Sequence, residues 1–141
     1  MIGFKFEKPV KDDEKYAELA EWCNSNNAYI EDKGEYYEVV AIPEPTDEEK
    51  QARIQKQLTD AVQHVLDSKA QELNYDNCLS VCSYIDTGVA RFDAEGKAFR
   101  AWRSAVWAKG YEILAQVQAG ERAIPTEAEL IAELPQLVIN Y

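Results

Sequence analysis

The sequence predicts an α+β fold: a small N-terminal β-α-β-β unit, then a mainly α-helical region with one long helix and a short terminal helix. Two periodicities lead to this prediction. Hydrophobic residues alternate near the N-terminus, as a strand with one buried face requires, whereas after residue 46 they recur every three or four residues, as helices require. We therefore expect two parts, residues 1–45 and residues 46–141, that either share one core or leave the helical region as an extended arm.

The first element is predicted to be a strand from Met1 to Val10. Hydrophobic Ile2, Phe4 and Phe6 alternate there with polar residues, which indicates one buried face, and Pro9 ends the strand.

A helix and a hairpin complete the small unit. Asp12 or Asp13 is placed to cap the helix, whose hydrophobic residues follow three-four spacing: Tyr16, Leu19, Ala20 and Cys23. Residues 28–42 then predict two strands joined by a turn around Asp32-Lys33-Gly34. A sheet this small needs a covering layer.

Four helices are predicted after the stiff break at Pro43-Glu44-Pro45. Capping boxes, in which a threonine hydroxyl and a glutamate carboxylate satisfy each other's backbone N–H, indicate where the first and last helices begin. The predicted spans are residues 46 to about 73, begun by Thr46 and Glu49; 74–87, ended by Gly88; about 94–119, ended by Gly120; and a last helix begun by Thr126 and Glu129 and ended by Pro135.

The charge of the chain argues against two classes of partner. Its formal net charge is −11, so phosphate backbones and anionic lipid surfaces would repel it, and we expect no nucleic-acid and no membrane partner. No hydrophobic run approaches the roughly 20 residues that span a bilayer, and the N-terminus does not resemble a signal peptide. Three cysteines are too few for a disulfide scaffold, so a reducing cytoplasm is the expected compartment.

The sequence predicts no catalytic, cofactor-binding or metal-binding residue. Cys78 and Cys82 lie one helical turn apart, but a zinc site needs two more soft ligands, and the only candidates, His64 and Cys23, are far apart in the sequence. A nucleophilic thiol also needs a base, whereas His64, the single histidine, belongs to a helical stripe and is expected at the core edge or surface.

Aromatic residues are the candidate partner-binding residues. Trp102, Trp107 and Tyr111 cover more of one helix than a single core face needs, which is typical of an interface. Tyr37 follows Tyr36 on a strand, so the two point to opposite faces and one is expected to stay exposed. The alternative, that these aromatics pack as core against the N-terminal sheet, stays open.

Basic residues form a further face on the long helix. They are Arg91, Lys97, Arg100, Arg103 and Lys109. In an acidic chain we interpret them as a solvated face or as an intrachain partner for the acidic first half, and we include Arg103 among the partner-binding candidates.

Two segments resemble small proteins encoded in the tail regions of tailed phages and prophages. They are Tyr36-Tyr37-Glu38-Val39-Val40 with Ile42-Pro43-Glu44-Pro45-Thr46, and Arg91-Phe92 with Phe99-Arg100-Ala101-Trp102-Arg103-Ser104-Ala105-Val106-Trp107 and Ile124-Pro125-Thr126-Glu127-Ala128-Glu129-Leu130-Ile131-Ala132-Glu133-Leu134-Pro135. With the lysine- and glutamine-rich helix between them, the resemblance covers about two thirds of the chain.

The resemblance implies a non-catalytic protein that assists tail fibre or tailspike assembly by protein–protein binding, in the cytoplasm of the bacterial host. The main alternative that it implies is a minor tail or adaptor protein that stays in the virion. A small enzyme or regulator is a third interpretation, and a second copy of the chain is a further candidate partner.

Overall fold

A computed structural model describes residues 1–8 and 13–141. The predicted α+β class is confirmed: a three-stranded antiparallel sheet lies in the N-terminal part, and the rest is mostly helical with one long helix. The chain divides into two compact units, Met1–Glu48 and Glu49–Tyr141.

The first unit has the predicted β-α-β-β order. It consists of β1 (Lys5–Glu7), α1 (Asp13–Ser25), β2 (Ala28–Asp32) and β3 (Tyr36–Ala41), and the strand order in the sheet is β1-β3-β2. The cap assigned to Asp12, the stop assigned to Pro9 and the end of the strand at Val10 lie outside the described residues.

The first strand is shorter than predicted. The chain turns before it, because Gly3 has a φ of +80° and the Phe4 N–H donates to the carbonyl of Met1 over 3.0 Å. Ile2 therefore lies outside the strand and is 53% exposed.

The hairpin between β2 and β3 is confirmed. The Asp32 carboxylate accepts the Gly34 N–H over 2.8 Å, and Gly34 has a φ of +91°, which glycine adopts without strain. The sheet and α1 enclose a small core of Leu19, Cys23, Ala28 and Val39, edged by Phe4, Phe6, Trp22 and Ile30.

Four helices are present after the sheet. They are α2 (Asp47–Glu72), α3 (Cys78–Cys82), α4 (Ala90–Gln118) and α5 (Glu127–Glu133). The capping box of α5 is confirmed, since Thr126 Oγ1 accepts the Glu129 N–H over 3.2 Å and Glu129 Oε2 accepts the Thr126 N–H over 2.9 Å.

The helix predicted over residues 74–87 is wrong in extent. Asn74 and Asp86 adopt positive φ angles of 67° and 60°, which interrupts helical geometry at both ends. The Asn77 side chain caps α3 by accepting the Ser80 N–H over 2.8 Å. The chain then turns at Gly88, and α4 begins at Ala90, four residues before the predicted start near Ala94.

The helices of the second unit enclose a larger hydrophobic core. Its buried members are Val62, Leu66, Ala70, Cys78, Val81, Phe99, Trp102, Val106, Ile113, Leu130 and Leu134. Leu137 and Ile139, which follow α5 without regular secondary structure, pack against this core. None of the helices in residues 1–8 and 13–141 combines the length and hydrophobicity needed to cross a membrane.

Candidate protein-binding groove

A groove of about 650 Å³ lies in the second unit, between the first half of α2 and the last part of α4. Residues 51–62 of α2 form one wall and residues 107–118 of α4 the other, with residues near α5 completing it. Each wall spans eleven residue steps, or about 16 Å at 1.5 Å per residue. The groove is lined by Gln51, Ile54, Gln55, Leu58, Thr59, Val62, Trp107, Gly110, Tyr111, Ile113, Leu114, Val117, Gln118, Ile124, Pro125 and Leu130.

Among the described residues the lining is hydrophobic and carries no charged side chain, although 29% of the whole chain is charged. Three of its large hydrophobic residues are open to solvent: Tyr111 is 68% exposed, Ile124 46% and Ile54 38%. Depletion of charge around exposed aromatic and aliphatic side chains is typical of the centre of a protein–protein interface. Glutamine and threonine side chains on the walls add hydrogen-bonding groups without charge.

Two of the five predicted partner-binding residues line this groove, Trp107 and Tyr111. Trp107 is half-buried and packs against the core of the second unit, so its position is fixed by the fold. Tyr111, one turn further along α4, projects into solvent. The groove thus contains one aromatic ring packed against the core, that of Trp107, and one exposed ring, that of Tyr111.

Trp102 lies in the core instead. It is 7% exposed, its ring meets that of Phe99 edge-on at 5.6 Å, and its indole N–H donates to the carbonyl of Pro135 over 2.7 Å. A buried indole with a satisfied N–H serves packing. Trp102 is therefore a core residue. The core in which it packs is that of the helices in the second unit, not one formed against the N-terminal sheet.

Arg103 and Tyr37 lie apart from the groove. Arg103 is half-buried on α4 and does not line the groove. Tyr37 belongs to the first unit, where its ring packs at 5.2 Å from that of Phe6, and the ammonium of Lys8 lies 4.3 Å from its centroid. Tyr36 lies beside Lys5. Both tyrosines are half-buried, so neither is left fully exposed.

Three of the five basic residues on α4 pair with carboxylates nearby. Arg91 bonds to Glu95 over 2.8 Å, Lys97 to Asp93 over 2.7 Å, and Lys109 to Glu112 over 3.3 Å. The three carboxylates lie on α4 itself and not in the acidic first half of the chain, so these pairs are local to the helix.

The sequence analysis missed a buried carboxylate at Glu95. Its side chain is 1% exposed and accepts three hydrogen bonds: from Arg91 Nε (2.8 Å), from the Tyr75 hydroxyl (2.6 Å) and from the Tyr141 hydroxyl (3.0 Å). Burial alone would raise the pKa of Glu95, but the three donors together outweigh it, so the pKa lies below its usual value. The available signal was the spacing of Arg91 and Glu95, four residues apart on a helix.

Tyr75 is the donor of one of these three hydrogen bonds. Burial, followed by its hydrogen bond to the Glu95 carboxylate, raises the pKa of Tyr75 to about 12. The phenol therefore stays protonated and keeps donating at neutral pH. All the polar groups of this cluster satisfy one another, which describes a structural network that holds α4 to the turn before α3 and to the last residue of the sequence.

The thiols and the histidine do not form a nucleophilic pair. Burial, reinforced by the neighbouring Cys82, raises the pKa of Cys78 to about 12, so its thiol is protonated at neutral pH. His64 is exposed on α2 and lies 3.3 Å from the Ser68 hydroxyl. Within residues 1–8 and 13–141, no three histidine, cysteine or acidic side chains are arranged to hold a metal ion.

Comparisons of the chain with protein-family models, with curated proteins and with solved structures find no match.

Proposed function

We propose that this chain is a non-catalytic phage or prophage tail-associated protein that binds a tail fibre or tailspike protein during its assembly. The groove between α2 and α4 is the proposed docking site. The observation that supports this most is the uncharged, hydrophobic lining with Tyr111, Ile124 and Ile54 open to solvent in an otherwise highly charged chain.

Burial of these exposed side chains would favour binding. Removing hydrophobic surface from water yields roughly 25 cal/mol per Å², and a tyrosine adds a hydroxyl that finds a polar partner at the rim of an interface. Trp107, held by the core, gives the partner a preformed surface, which lowers the entropic cost of association. The negative charge of the chain would keep the complex in solution.

The class of partner comes from the resemblance of the two segments to tail-region proteins. A fibre or tailspike chain exposes hydrophobic surface before it trimerises, and temporary cover of that surface prevents its aggregation. Assembly of this kind takes place in the cytoplasm of the bacterial host.

Co-expression with the fibre or tailspike protein tests the proposal. We expect the fibre to be soluble and trimeric with the wild-type chain and to aggregate with Tyr111→Ser, since that change removes the most exposed large hydrophobic side chain of the groove. Tyr29→Ser is the matched control, because Tyr29 is an exposed tyrosine (43%) in the first unit. Equal yields of trimeric fibre with and without the wild-type chain would rule the proposal out.

A structural role in the virion is the second candidate, and the same resemblance supports it. An adaptor would remain in purified particles in a fixed ratio to the other tail proteins, whereas an assembly factor would be absent from them. Quantitative mass spectrometry of purified particles separates the two.

A further inference from the structure

We propose that the groove binds an α-helix of the partner protein, and that this helix crosses α4 close to its backbone at Gly110. This inference rests on the proposed function for the identity of the partner, but not for the presence of a helix-binding site. Three features support a helix-binding site: the open position of Gly110, the two helical walls and the uncharged lining.

The two glycines inside α4 differ in what surrounds them. A methyl group added at Gly96 would lie 2.8 Å from Cγ1 of Ile85 and 3.0 Å from the carbonyl oxygen of Val81, so close packing within the chain requires glycine there. A methyl group added at Gly110 would meet no atom of the described chain within 4 Å, apart from its sequence neighbours and the backbone of its own helix.

Gly110 is therefore not explained by packing inside this chain. Glycine weakens a helix interior relative to alanine, because it loses more conformational freedom on folding. Gly110 lines the groove next to Tyr111, and the absence of a side chain leaves a notch in the wall. A notch of this kind lets a second backbone approach more closely than any other residue would allow.

The walls favour a helical occupant over an extended peptide. Both are α-helices, whose backbone N–H and C=O groups are satisfied internally along residues 51–62 and 107–118, so no sheet edge is offered to a strand. A helix satisfies its own backbone and needs only side-chain contacts. Three turns on each wall match a partner stripe at positions i, i+3, i+4 and i+7.

Charge complementarity defines that stripe. Because none of the described residues that line the groove is charged, a charged partner side chain would lose its hydration there without gaining an opposite charge. The nearest pair on α4, Lys109 and Glu112, is already joined over 3.3 Å. The partner stripe is therefore uncharged, with a small residue facing Gly110 and larger hydrophobic residues facing Trp107 and Tyr111.

Fluorescence anisotropy with designed helical peptides of about five turns tests the site. The probe panel has stripes of alanine with leucine, phenylalanine or glutamine, and each peptide has a matched version with aspartate or lysine in the stripe. We expect uncharged-stripe peptides to bind the full chain and the charged versions to bind at least tenfold more weakly. No binding of any uncharged-stripe peptide up to about 1 mM would overturn the proposal.

Gly110→Ala provides the sharper test, since it separates binding from folding. We expect it to raise the urea midpoint of unfolding while weakening peptide binding at least tenfold. Ser104→Ala, on α4 outside the groove lining, is the control and should leave binding unchanged. Unchanged binding by Gly110→Ala would overturn the proposal, as would a wild-type dimer in sedimentation that Gly110→Ala dissociates, because the occupant would then be a second copy.

The two proposals fail in different ways. Peptide binding without any effect on fibre solubility would refute the tail-assembly role and leave the helix site intact. A fibre that becomes soluble with the wild-type chain and equally with Gly110→Ala would support the role and refute the site.

Discussion

Glu95 is a buried carboxylate that accepts three side-chain hydrogen bonds in the second unit. It collects donors from a turn 20 residues earlier, from its own helix and from Tyr141, 46 residues later. A buried carboxylate is stable only when such donors replace its lost hydration. The lowered pKa of Glu95 means that the folded chain prefers the ionised form more strongly than the unfolded chain does.

We expect Glu95→Gln to lower the free energy of unfolding by about 2 kcal/mol at pH 7, because the amide loses one acceptor oxygen and turns an N–H donor toward other donors. Urea denaturation measures the change. Glu112→Gln is the control: it removes an exposed carboxylate from an i,i+3 pair and should cost less than about 0.5 kcal/mol.

The difference between wild type and Glu95→Gln should depend on pH. A lowered pKa in the folded state stabilises the protein above the pKa of the unfolded chain, about 4.3, and this stabilisation is lost as the pH falls through the lower folded value. The gap should thus be constant above about pH 5 and shrink in more acidic solution. A gap that persists unchanged to pH 2 would contradict this account of Glu95.

Sequence patterns could identify the aromatic helix but not the role of each ring. Trp102 and Trp107 are five positions apart, which rotates one about 140° from the other at 100° per residue, so both cannot occupy the same face. Trp102 is the one that faces inward, and the carbonyl that accepts its indole N–H belongs to Pro135, more than 30 residues away in the sequence. Glu95 was beyond reach for the same reason, since two of its three donors are distant in sequence.

At the scale of elements, α4 contains two glycines with different surroundings, one closely packed and one open. At Gly96 it comes close enough to α3 and the turn after it for backbone and side chain to touch, whereas at Gly110 its surface is open. A single periodic pattern of hydrophobic residues would not distinguish the two glycines. Only the distance to Val81 and Ile85 does so.

We expect Gly96→Ala to destabilise the protein by about 1–3 kcal/mol, the usual cost of overpacking a filled core. The new methyl group would press on the backbone oxygen of Val81, which cannot rotate away as a side chain can. Thermal unfolding followed by circular dichroism measures the loss. A variant as stable as the wild type would show that α3 shifts without cost.

Element boundaries were predictable where a local signal existed. The box of Thr126 and Glu129 gave the start of α5, and the turn at Gly34 gave the hairpin. The segment before α4 was not predictable, because Asn74 and Asp86 adopt left-handed angles that asparagine and aspartate tolerate but do not require. A hydrophobic pattern continued through them, and the prediction extended the helix too far.

At the scale of the whole molecule, the two units differ in core size and in charge. Among the residues that the structure describes, four buried residues form the core of the first unit and eleven that of the second. Of the 26 acidic residues in the chain, 14 lie in residues 1–50, together with only 6 basic ones. The smaller core thus belongs to the part with the greater electrostatic self-repulsion.

We expect the fragment 46–141 to fold alone and the fragment 1–45 to be largely unfolded, because fewer than about 50 residues seldom bury enough surface to offset chain entropy. Circular dichroism should give a cooperative thermal transition for the former and none for the latter. The full-length chain under the same conditions is the control. A cooperative transition in 1–45 would contradict the prediction, and its absence in 46–141 would show that the helical region depends on the sheet.

The bond from the indole of Trp102 to Pro135 has a spectroscopic consequence. That indole proton is buried and can exchange with solvent deuterium only when the segment after α5 lifts from the helices. Its exchange rate in NMR therefore reads out the opening of this segment directly. Because Trp102 does not line the groove, this one proton would show whether a partner that occupies the groove also slows the opening of the segment after α5.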